Sequence, residues 1–201
     1  MGISRMLFIT ALALMSSWAQ ATTITFDNED TGARLNGYTV AGVKFFDTIG
    51  QDLIIDNFSI GNGTNALAVF IDDASLLDMV FPTLSNALSL DFGNDNASTQ
   101  IGDLAVLVLF LQGQQVGQTT VALNRNSLID QTITLAGINF DEAIFGFTNS
   151  TGVPLELAEL VDNIVFTASG GTSVPEPAAI SLLGLALAGS ALARRKAARP
   201  A

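Results

Sequence analysis

The residues of this chain that can do chemistry are almost all carboxylic acids. Eighteen of its nineteen Asp and Glu residues lie between residues 22 and 173, a span that holds three basic residues and a net charge of −15. The sequence contains neither cysteine nor histidine. Thiolate nucleophiles, imidazole bases and the common zinc and haem ligands are therefore excluded, which leaves carboxylate, hydroxyl and lysine chemistry.

Four of the carboxylates are candidate ligands for a hard divalent cation. Calcium takes about six to eight oxygen ligands. Several of these oxygens can come from the carboxylates of Asp27, Glu29, Asp30 and Asp162, with backbone carbonyls supplying the others. The alternative is that residues 27–30 form an ordinary solvated turn, because Asp and Asn hydrogen-bond to their own backbone. A structural calcium ion is the only cofactor that the sequence suggests.

The same residues bear on enzymatic and glycan-binding functions. A glycoside hydrolase needs two carboxyl groups about 5 to 10 Å apart, and no motif singles out such a pair, so we name no catalytic residue and predict a non-enzyme. Glycan platforms usually use tryptophan or tyrosine. Tyr38 is the only such residue beyond the N-terminal segment, so glycan recognition would depend on polar loops at 62–65 and 91–96.

Nucleic acid is excluded as a partner by charge. Affinity for nucleic acid comes largely from Lys and Arg side chains that neutralise phosphates, and the span from residue 22 to residue 173 contains only Arg34, Lys44 and Arg125. A surface this acidic repels a phosphate backbone.

The N-terminus predicts export. Arg5 precedes the apolar run Leu7–Met15, and Ala19-Gln20-Ala21 has the small residues that signal peptidase requires. We therefore predict a signal peptide over residues 1–21, cleaved after Ala21. The only tryptophan, Trp18, would then be absent from the mature protein.

The C-terminal end has three parts in a fixed order. A flexible Gly- and Ser-containing linker at 169–173 is followed by Val174-Pro175-Glu176-Pro177 and by sixteen mostly apolar residues at 178–193. As a helix, the apolar segment spans about 24 Å, slightly less than the ~30 Å of a hydrocarbon core. The basic residues that follow predict that this end stays in the cytoplasm; they are Arg194, Arg195 and Lys196.

This end of the chain resembles the PEP-CTERM sorting signal of Gram-negative bacteria. Pro175, Glu176 and Pro177 fall on the tripeptide that names that family. The resemblance implies recognition by a membrane-embedded exosortase, cleavage near the tripeptide, and an inner-membrane intermediate held by residues 178–193. It also implies delivery to the cell surface or the extracellular matrix, alongside exopolysaccharide. The alternative is a plain single-span anchor with a proline-stiffened stalk.

The region between the two ends, residues 22–168, predicts one all-β domain. Short runs rich in Val, Ile, Phe and Thr alternate with clusters of Asn, Asp and Gly. Two segments are candidates for brief helices, at 73–78 and 155–160. The predicted strands are Thr22–Phe26, Val40–Phe46, Leu53–Ile55, Ala66–Ile71, Ala87–Phe92, Leu104–Gln112, Gln118–Ala122, Gln131–Leu135, Glu142–Thr148 and Val161–Thr167.

These strands predict a jelly-roll-like sandwich of two antiparallel sheets, because no helical crossovers separate them. Most phenylalanines are then core residues. The run Leu104–Leu111 shows no alternation, which predicts a central strand covered on both faces.

The first and last predicted strands carry a second, weaker resemblance. Ile24–Asn28 and Val161–Phe166 share an apolar-Asp-Asn pattern. They are similar to the opening and closing strands of carbohydrate-binding-module and lectin-like sandwiches. That resemblance implies that the two strands pair and that a structural calcium lies near their junction.

The leading hypothesis from the sequence is an exported, non-enzymatic structural component of the cell surface or of an exopolysaccharide (biofilm) matrix. Signal peptidase and exosortase are its expected processing partners. The alternative hypothesis is a calcium-dependent glycan-binding module of that matrix.

Overall fold

The computed structural model describes residues 20–58, 64–93, 99–126 and 128–169. Within these ranges the structure contains β-strands and no helix. The described residues belong to one unit, Ala19–Ser169. The eleven strands are β1 Ala21–Ile24, β2 Gly32–Ala33, β3 Tyr38–Val40, β4 Val43–Asp47, β5 Leu53–Asp56, β6 Ala66–Val69, β7 Leu77–Gly93, β8 Leu104–Leu111, β9 Gln114–Ala122, β10 Gln131–Thr148 and β11 Glu159–Ala168.

The strands form an antiparallel sandwich of two sheets. The sheets are continuous with one another because β7 and β10 each run through both. The front sheet has the order β3-β4-β7-β10-β8-β9 and uses the first part of β7 and the last part of β10. The back sheet has the order β2-β5-β6-β11-β7-β10, with β1 also pairing with β11. The all-β class and the antiparallel sandwich are as the sequence predicts.

Both long strands pass between the sheets through a bend. Pro82 lies inside β7 and has no N–H to donate. Opposite it, the register of β10 shifts between Ala136 and Phe140 and again between Phe140 and Glu142. Gly137 has a φ of 82°, a conformation that favours glycine. Irregularities of this kind bend strands, so β7 and β10 each contribute to both layers.

Phenylalanine rings fill the space between the sheets. The ring of Phe81 lies edge-on to those of Phe140 and Phe166, with centroids 5.1 and 5.2 Å away. Phe92 lies 5.4 Å from Phe145. All five rings are buried, and such pairs stabilise a core beyond the area they bury. The prediction that most phenylalanines are core residues is confirmed.

The two predicted brief helices are wrong. In the segment at 73–78, the carboxylate of Asp73 accepts the N–H of Ser75 at 2.7 Å. Local bonds of this kind compete with helical hydrogen bonds, and β7 begins directly afterwards. The end of the segment at 155–160 belongs to β11, whose first residues pair with β6.

The prediction for β8 is also partly wrong. Its residues Ala105, Leu107 and Leu109 are fully buried in the core, as expected. The alternate residues are only half-buried, and β8 lies next to the edge strand β9. The outward side chains remain apolar because they line a groove, not because a second layer covers them.

The predicted pairing of the first and last strands is confirmed. Strand β1 pairs with β11 from Ala21 opposite Thr167 to Ile24 opposite Ile164. Among the described residues there is no helix long and apolar enough to cross a membrane. The predicted signal helix and the apolar helix at 178–193 lie outside the described residues.

Candidate functional site

A groove of about 410 Å³ lies on the outer face of the front sheet. Its floor comes from β8, β9 and β10, and one wall comes from the loop that follows β10. The lining residues are Leu76, Leu104, Val106, Val108, Gln118, Thr120, Ile144, Gly146, Thr148, Asn149, Ser150, Gly152 and Pro154.

Strand register explains why these side chains share one face. Val106 lies opposite Gly146 on β10 and opposite Thr120 on β9. Val108 lies opposite Ile144 in the same way. Directly opposite residues of an antiparallel pair point to the same face, so the outward row of β8 becomes the apolar floor of the groove.

Gly146 sets the depth of the floor. A Cβ atom at this position would overlap the Cδ2 atom of Leu76 and would lie 3.2 Å from Oε1 of Glu159. Only glycine therefore lets Leu76 lie across β10 beside the groove.

The wall loop is held by one side chain. Oδ1 of Asn149 accepts the N–H of Thr151 at 2.9 Å, the hydroxyl of Thr151 at 2.7 Å and the N–H of Val153 at 3.1 Å. The N–H of Asn149 donates to the carbonyl of Val153 at 2.8 Å. Gly152, with a φ of 83°, completes the turn. The wall is therefore organised before any ligand arrives.

The groove combines an apolar floor with a neutral polar rim. Its amides and hydroxyls come from Gln118, Thr120, Thr148, Asn149 and Ser150, and none of its lining residues is charged or aromatic. Such a surface suits an uncharged ligand that has both apolar faces and hydroxyl groups.

Two carboxylates lie on the same outer face but do not line the groove. Asp78 is opposite Ile144, and Glu142 is opposite Val80, so the two carboxylates are diagonal neighbours on adjacent strands. Burial, followed by the charge of Glu142, raises the pKa of Asp78 to about 6. Neither residue is among those that line the groove.

A second group of carboxylates lies where β4 ends and β11 begins. Glu159 is fully buried, and neither of its carboxylate oxygens has a hydrogen-bond partner. Burial raises the pKa of Glu159 well above its usual value. Nearby backbone N–H groups lie outside hydrogen-bonding geometry with its oxygens and only partly offset this effect, and the charges of Asp73 and Asp47 add to it. This carboxyl therefore favours its protonated form in the folded protein.

Asp47, whose charge acts on Glu159, interacts with the neighbouring carboxyl of Asp52. Burial and the neighbouring Asp47 carboxyl raise the pKa of Asp52 to about 6. Burial acts in the same direction on Asp47, but the hydrogen bond from Asp52 and those from backbone N–H groups outweigh it and lower the pKa of Asp47. One of these donors is the N–H of Ile49, at 2.9 Å.

Of the four predicted metal ligands, Asp162 is buried, and Asp27 lies within electrostatic reach of it. Asp162 is 3% exposed; its Oδ1 has no hydrogen-bond partner, and its Oδ2 accepts the hydroxyl of Thr64 at 3.3 Å. Burial is the main cause of the raised pKa of Asp162, and the charge of Asp27 adds to it. Asp27 is exposed just after β1, and Asp162 lies in β11, the strand with which β1 pairs.

The other two predicted ligands have different partners. Oε2 of Glu29 accepts the hydroxyl of Tyr38 at 2.5 Å, and the backbone carbonyl of Asp30 accepts the guanidinium of Arg34. In the part of the chain that the structure describes, no group of three or more carboxylates is placed to hold a metal ion. The four-residue calcium site stays a prediction.

Sequence reasoning missed the groove. The unbroken apolar run of β8 predicts a strand covered on both faces, and such a strand has no outward residues that could line a groove. The sequence does contain one indication of the groove: Gln118 and Thr120, two positions apart on the neighbouring strand β9, place polar side chains on one face. The two loops predicted for glycan recognition, at 62–65 and 91–96, lie only partly within the described residues. Asp91 itself is occupied, because its carboxylate accepts Thr132 at 2.6 Å and Asn163 at 3.0 Å.

Comparison with known protein families identifies the C-terminal end. Residues 173–196 match the PEP-CTERM protein-sorting motif, which confirms the resemblance drawn from Pro175, Glu176 and Pro177. The motif marks an exported protein that is sorted to the cell surface, with exosortase processing as the kind of partner it implies. A comparison with curated proteins found no match.

Solved structures similar to this chain include a glycosidase and carbohydrate-binding modules. The arabinose-bound MgGH51 α-L-arabinofuranosidase has a TM-score of 0.44 and 12% identity over 71% of this chain, which spans 25% of the length of that enzyme. CBM29_1 from Piromyces equi has a TM-score of 0.41 and 14% identity, covering 75% of this chain and 91% of the module. The CBM22-1 xylan-binding domain of Paenibacillus barcinonensis Xyn10C has a TM-score of 0.37 and 13% identity, covering 78% and 99%.

Proposed function

We propose that this protein is a non-catalytic structural component of the cell surface or the exopolysaccharide matrix, and that it holds an uncharged glycan in the front-sheet groove. The observation that supports the binding role is the groove itself, which has an aliphatic floor and a rim of amides and hydroxyls without a charged residue. The span from residue 22 to residue 173 otherwise carries a net charge of −15.

The chemistry of the groove selects a class of ligand. Sugar rings have apolar C–H faces that can cover the valines and leucines of the floor, and hydroxyls that can meet the rim. A volume of about 410 Å³ is within the range of small-ligand sites, roughly 300 to 1,000 Å³, and suits one or two sugar rings of a longer chain. A polyanionic glycan is disfavoured by the acidic surface around the groove.

The C-terminal segment that contains the sorting motif would direct the domain to the cell surface. In this proposal the apolar segment at 178–193 holds the chain in the inner membrane while exosortase cleaves near Pro175–Pro177. The released domain then joins the matrix. The plain single-span anchor remains the alternative for this end of the chain.

The rim of the groove is tested by the double variant Gln118→Ala with Thr120→Val. Each lost hydrogen bond is worth about 1 kcal/mol, so glycan affinity is expected to fall by about 10- to 30-fold. Affinity electrophoresis of the full chain in gels that contain neutral exopolysaccharide measures this change.

Thr134→Val is the matched control for the rim. Thr134 is an exposed residue of β10 in the back sheet, where its hydroxyl contacts Ser89, so this variant should bind like the unaltered chain. A double variant that migrates as the unaltered chain does, or an unaltered chain retarded by no neutral glycan, contradicts the binding role.

A calcium-dependent module is the second candidate, favoured by one observation. The partnerless Oδ1 of Asp162 lies in a buried setting within electrostatic reach of Asp27. A buried unpaired carboxylate oxygen is costly, and a cation ligated there would remove that cost. We propose that Asp27 and Asp162, with nearby backbone carbonyls, hold this ion if one is bound.

Calcium binding is expected to raise the melting temperature of the full chain relative to its value in EDTA. At about one hundred times Kd a ligand adds roughly 2.7 kcal/mol of stability, which corresponds to about 5 to 10 °C for a domain of this size. Asp162→Asn should abolish the shift, and Asp56→Asn, at an exposed position of β5, should retain it. Equal melting temperatures in calcium and in EDTA would rule out this candidate.

A further inference from the structure

The edge of the front sheet at β9 is unpaired in the described chain. Strand β9 stands at the end of the strand order and pairs with β8 alone. It is nine residues long, whereas β1, β2 and β3, which also pair with a single strand, have four, two and three residues. The carbonyl of Ala122, at the end of β9, accepts the side-chain amide of Gln131 at 2.8 Å. No described strand other than β8 pairs with β9, and such an edge presents unpaired backbone N–H and C=O groups.

The β9 edge lacks the features that usually prevent edge-to-edge pairing. Natural edges are kept short or carry charges, prolines or strong bulges. Residues 114–122 contain neither a charged residue nor a proline. The register shift opposite Leu109 and Phe110 lies at the hairpin end, so the ladder from Gly117 to Ala122 is regular.

Charge directs a second copy of this chain to the β9 edge and away from the rest of the surface. Two domains that each carry a large negative charge repel one another over most of their surfaces, and β9 is an uncharged strip nine residues long. The tight turn at Gln112 and Gly113, with φ of 51° and 74°, is the type that matches strand twist. The edge is therefore presented in a conformation ready for pairing.

We propose that β9 pairs with β9 of a second copy of this chain, antiparallel and about a two-fold axis near Gln118, the midpoint of the strand. The pairing creates one continuous front sheet across two copies. Gln118 then faces Gln118 of the other copy across the new ladder, and Thr120 faces Val116.

The symmetry of this pairing has a consequence for the groove. The two-fold axis of an antiparallel strand pair stands perpendicular to the sheet, so both outer faces point the same way. Gln118 and Thr120 belong to β9 and also line the groove. The two grooves thus become neighbours on one surface, where a single polymer can contact both. This last step rests on the proposed glycan binding; the strand pairing does not.

Single cysteines test the pairing directly, because the chain has no cysteine of its own. A disulfide requires Cα atoms closer than about 7 Å. At the axis the two Cα atoms are about 4.5 to 5.5 Å apart, whereas a residue two positions away is separated from its own copy by about 13 Å. Under mild oxidation, Gln118→Cys in the full chain is expected to form at least five times more cross-linked dimer than Val116→Cys or Thr120→Cys.

The control is Thr39→Cys, an exposed residue on the opposite edge strand β3. A sharp maximum of cross-linking at one position of β9 supports the pairing, and its place sets the axis. Equal yields along β9, or no yield above that of Thr39→Cys, overturn the proposal.

Val116→Lys provides a second, independent test. Val116 is 38% exposed and does not line the groove, and a lysine placed on an edge blocks pairing. In the Gln118→Cys background it should reduce dimer formation several-fold, while Val116→Lys alone leaves the affinity of each chain for a short glycan unchanged. Cross-linking without glycan binding would contradict the proposed function and support the pairing. Glycan binding without cross-linking would support the proposed function and contradict the pairing.

Discussion

Replacing Glu159 by glutamine is expected to raise the melting temperature of the full chain at pH 8 by about 5 °C. Glu159 is fully buried and lacks a hydrogen-bond partner for either oxygen. At pH 8 this carboxyl must either keep its charge in the protein interior or bind a proton that the unfolded chain lacks, and either state costs on the order of 2 kcal/mol or more. Glutamine has the same shape without the charge, so it should remove most of this cost.

The pH dependence follows from the direction of the shift. Because burial raises the pKa of Glu159 in the folded state above its ordinary value of 4.5, the folded chain binds a proton that the unfolded chain has already lost. Stability therefore falls as the pH rises from about 4.5 towards the folded pKa. The unaltered chain should melt at progressively lower temperature from about pH 5 to pH 8, and Glu159→Gln should flatten part of that decline.

Other carboxyls set the background of this experiment. The raised pKa values of Asp52, Asp78 and Asp162 contribute in the same direction in both chains. The lowered pKa of Asp47 has the opposite sign, and its contribution is lost only as the pH falls below about 4. The difference between the two melting curves from pH 5 to pH 8 therefore reports Glu159.

Glu156→Gln is the matched control. Glu156 lies three residues earlier and is exposed, so the same chemical change there should move the melting temperature little. A Glu159→Gln chain that melts below the unaltered chain at pH 8, or that keeps its full pH dependence, would show that Glu159 is stabilised by a partner in the folded protein.

Protein recovered from the cell surface is expected to begin at Thr22 and to end near Pro175–Pro177. This expectation follows from the proposal that signal peptidase removes the first segment and that exosortase, acting at the sorting motif of residues 173–196, removes the last. Intact mass spectrometry measures both ends, and the mature protein should also show no tryptophan fluorescence, because Trp18 is removed.

Pro175→Ala is expected to abolish this processing and leave the chain in the inner-membrane fraction. Pro200→Ala, outside the matched motif, is the control and should be processed normally. Mature surface protein that retains its Arg-rich C-terminus would leave only the plain-anchor alternative.

Features that depend on local chemistry could be read from the sequence. A strand with alternating polar and apolar residues, such as Gln131–Leu135, can be predicted wherever it lies in the fold, because successive side chains of a strand point to opposite faces. The linker, the Pro-Glu-Pro segment and the basic C-terminus are likewise a matter of order and composition. The pairing of Ile24 with Ile164 was within reach because the two segments resemble each other.

The long strands β7 and β10 were beyond the reach of local patterns. The sequence indicated Ala87–Phe92 as one short strand and Gln131–Leu135 and Glu142–Thr148 as two separate ones. The structure extends β7 back to Leu77 and joins the other two into the single strand β10. Whether a bend at Pro82 ends a strand or carries it into the other sheet depends on what packs on both sides, and that is a property of the whole sandwich.

The acidic composition, the export signals, the sorting tail and the all-β class were determined by the sequence alone, since each follows from residue type and local order. Which apolar residues remain outside the core was decided only by the tertiary structure. Val106 and Val108 are as apolar as Leu107, and only the pairing of β8 between β9 and β10 turns them outward to floor a groove. Glu159 is likewise buried by packing that no neighbour in sequence could reveal, because burial depends on contacts between residues far apart in the chain.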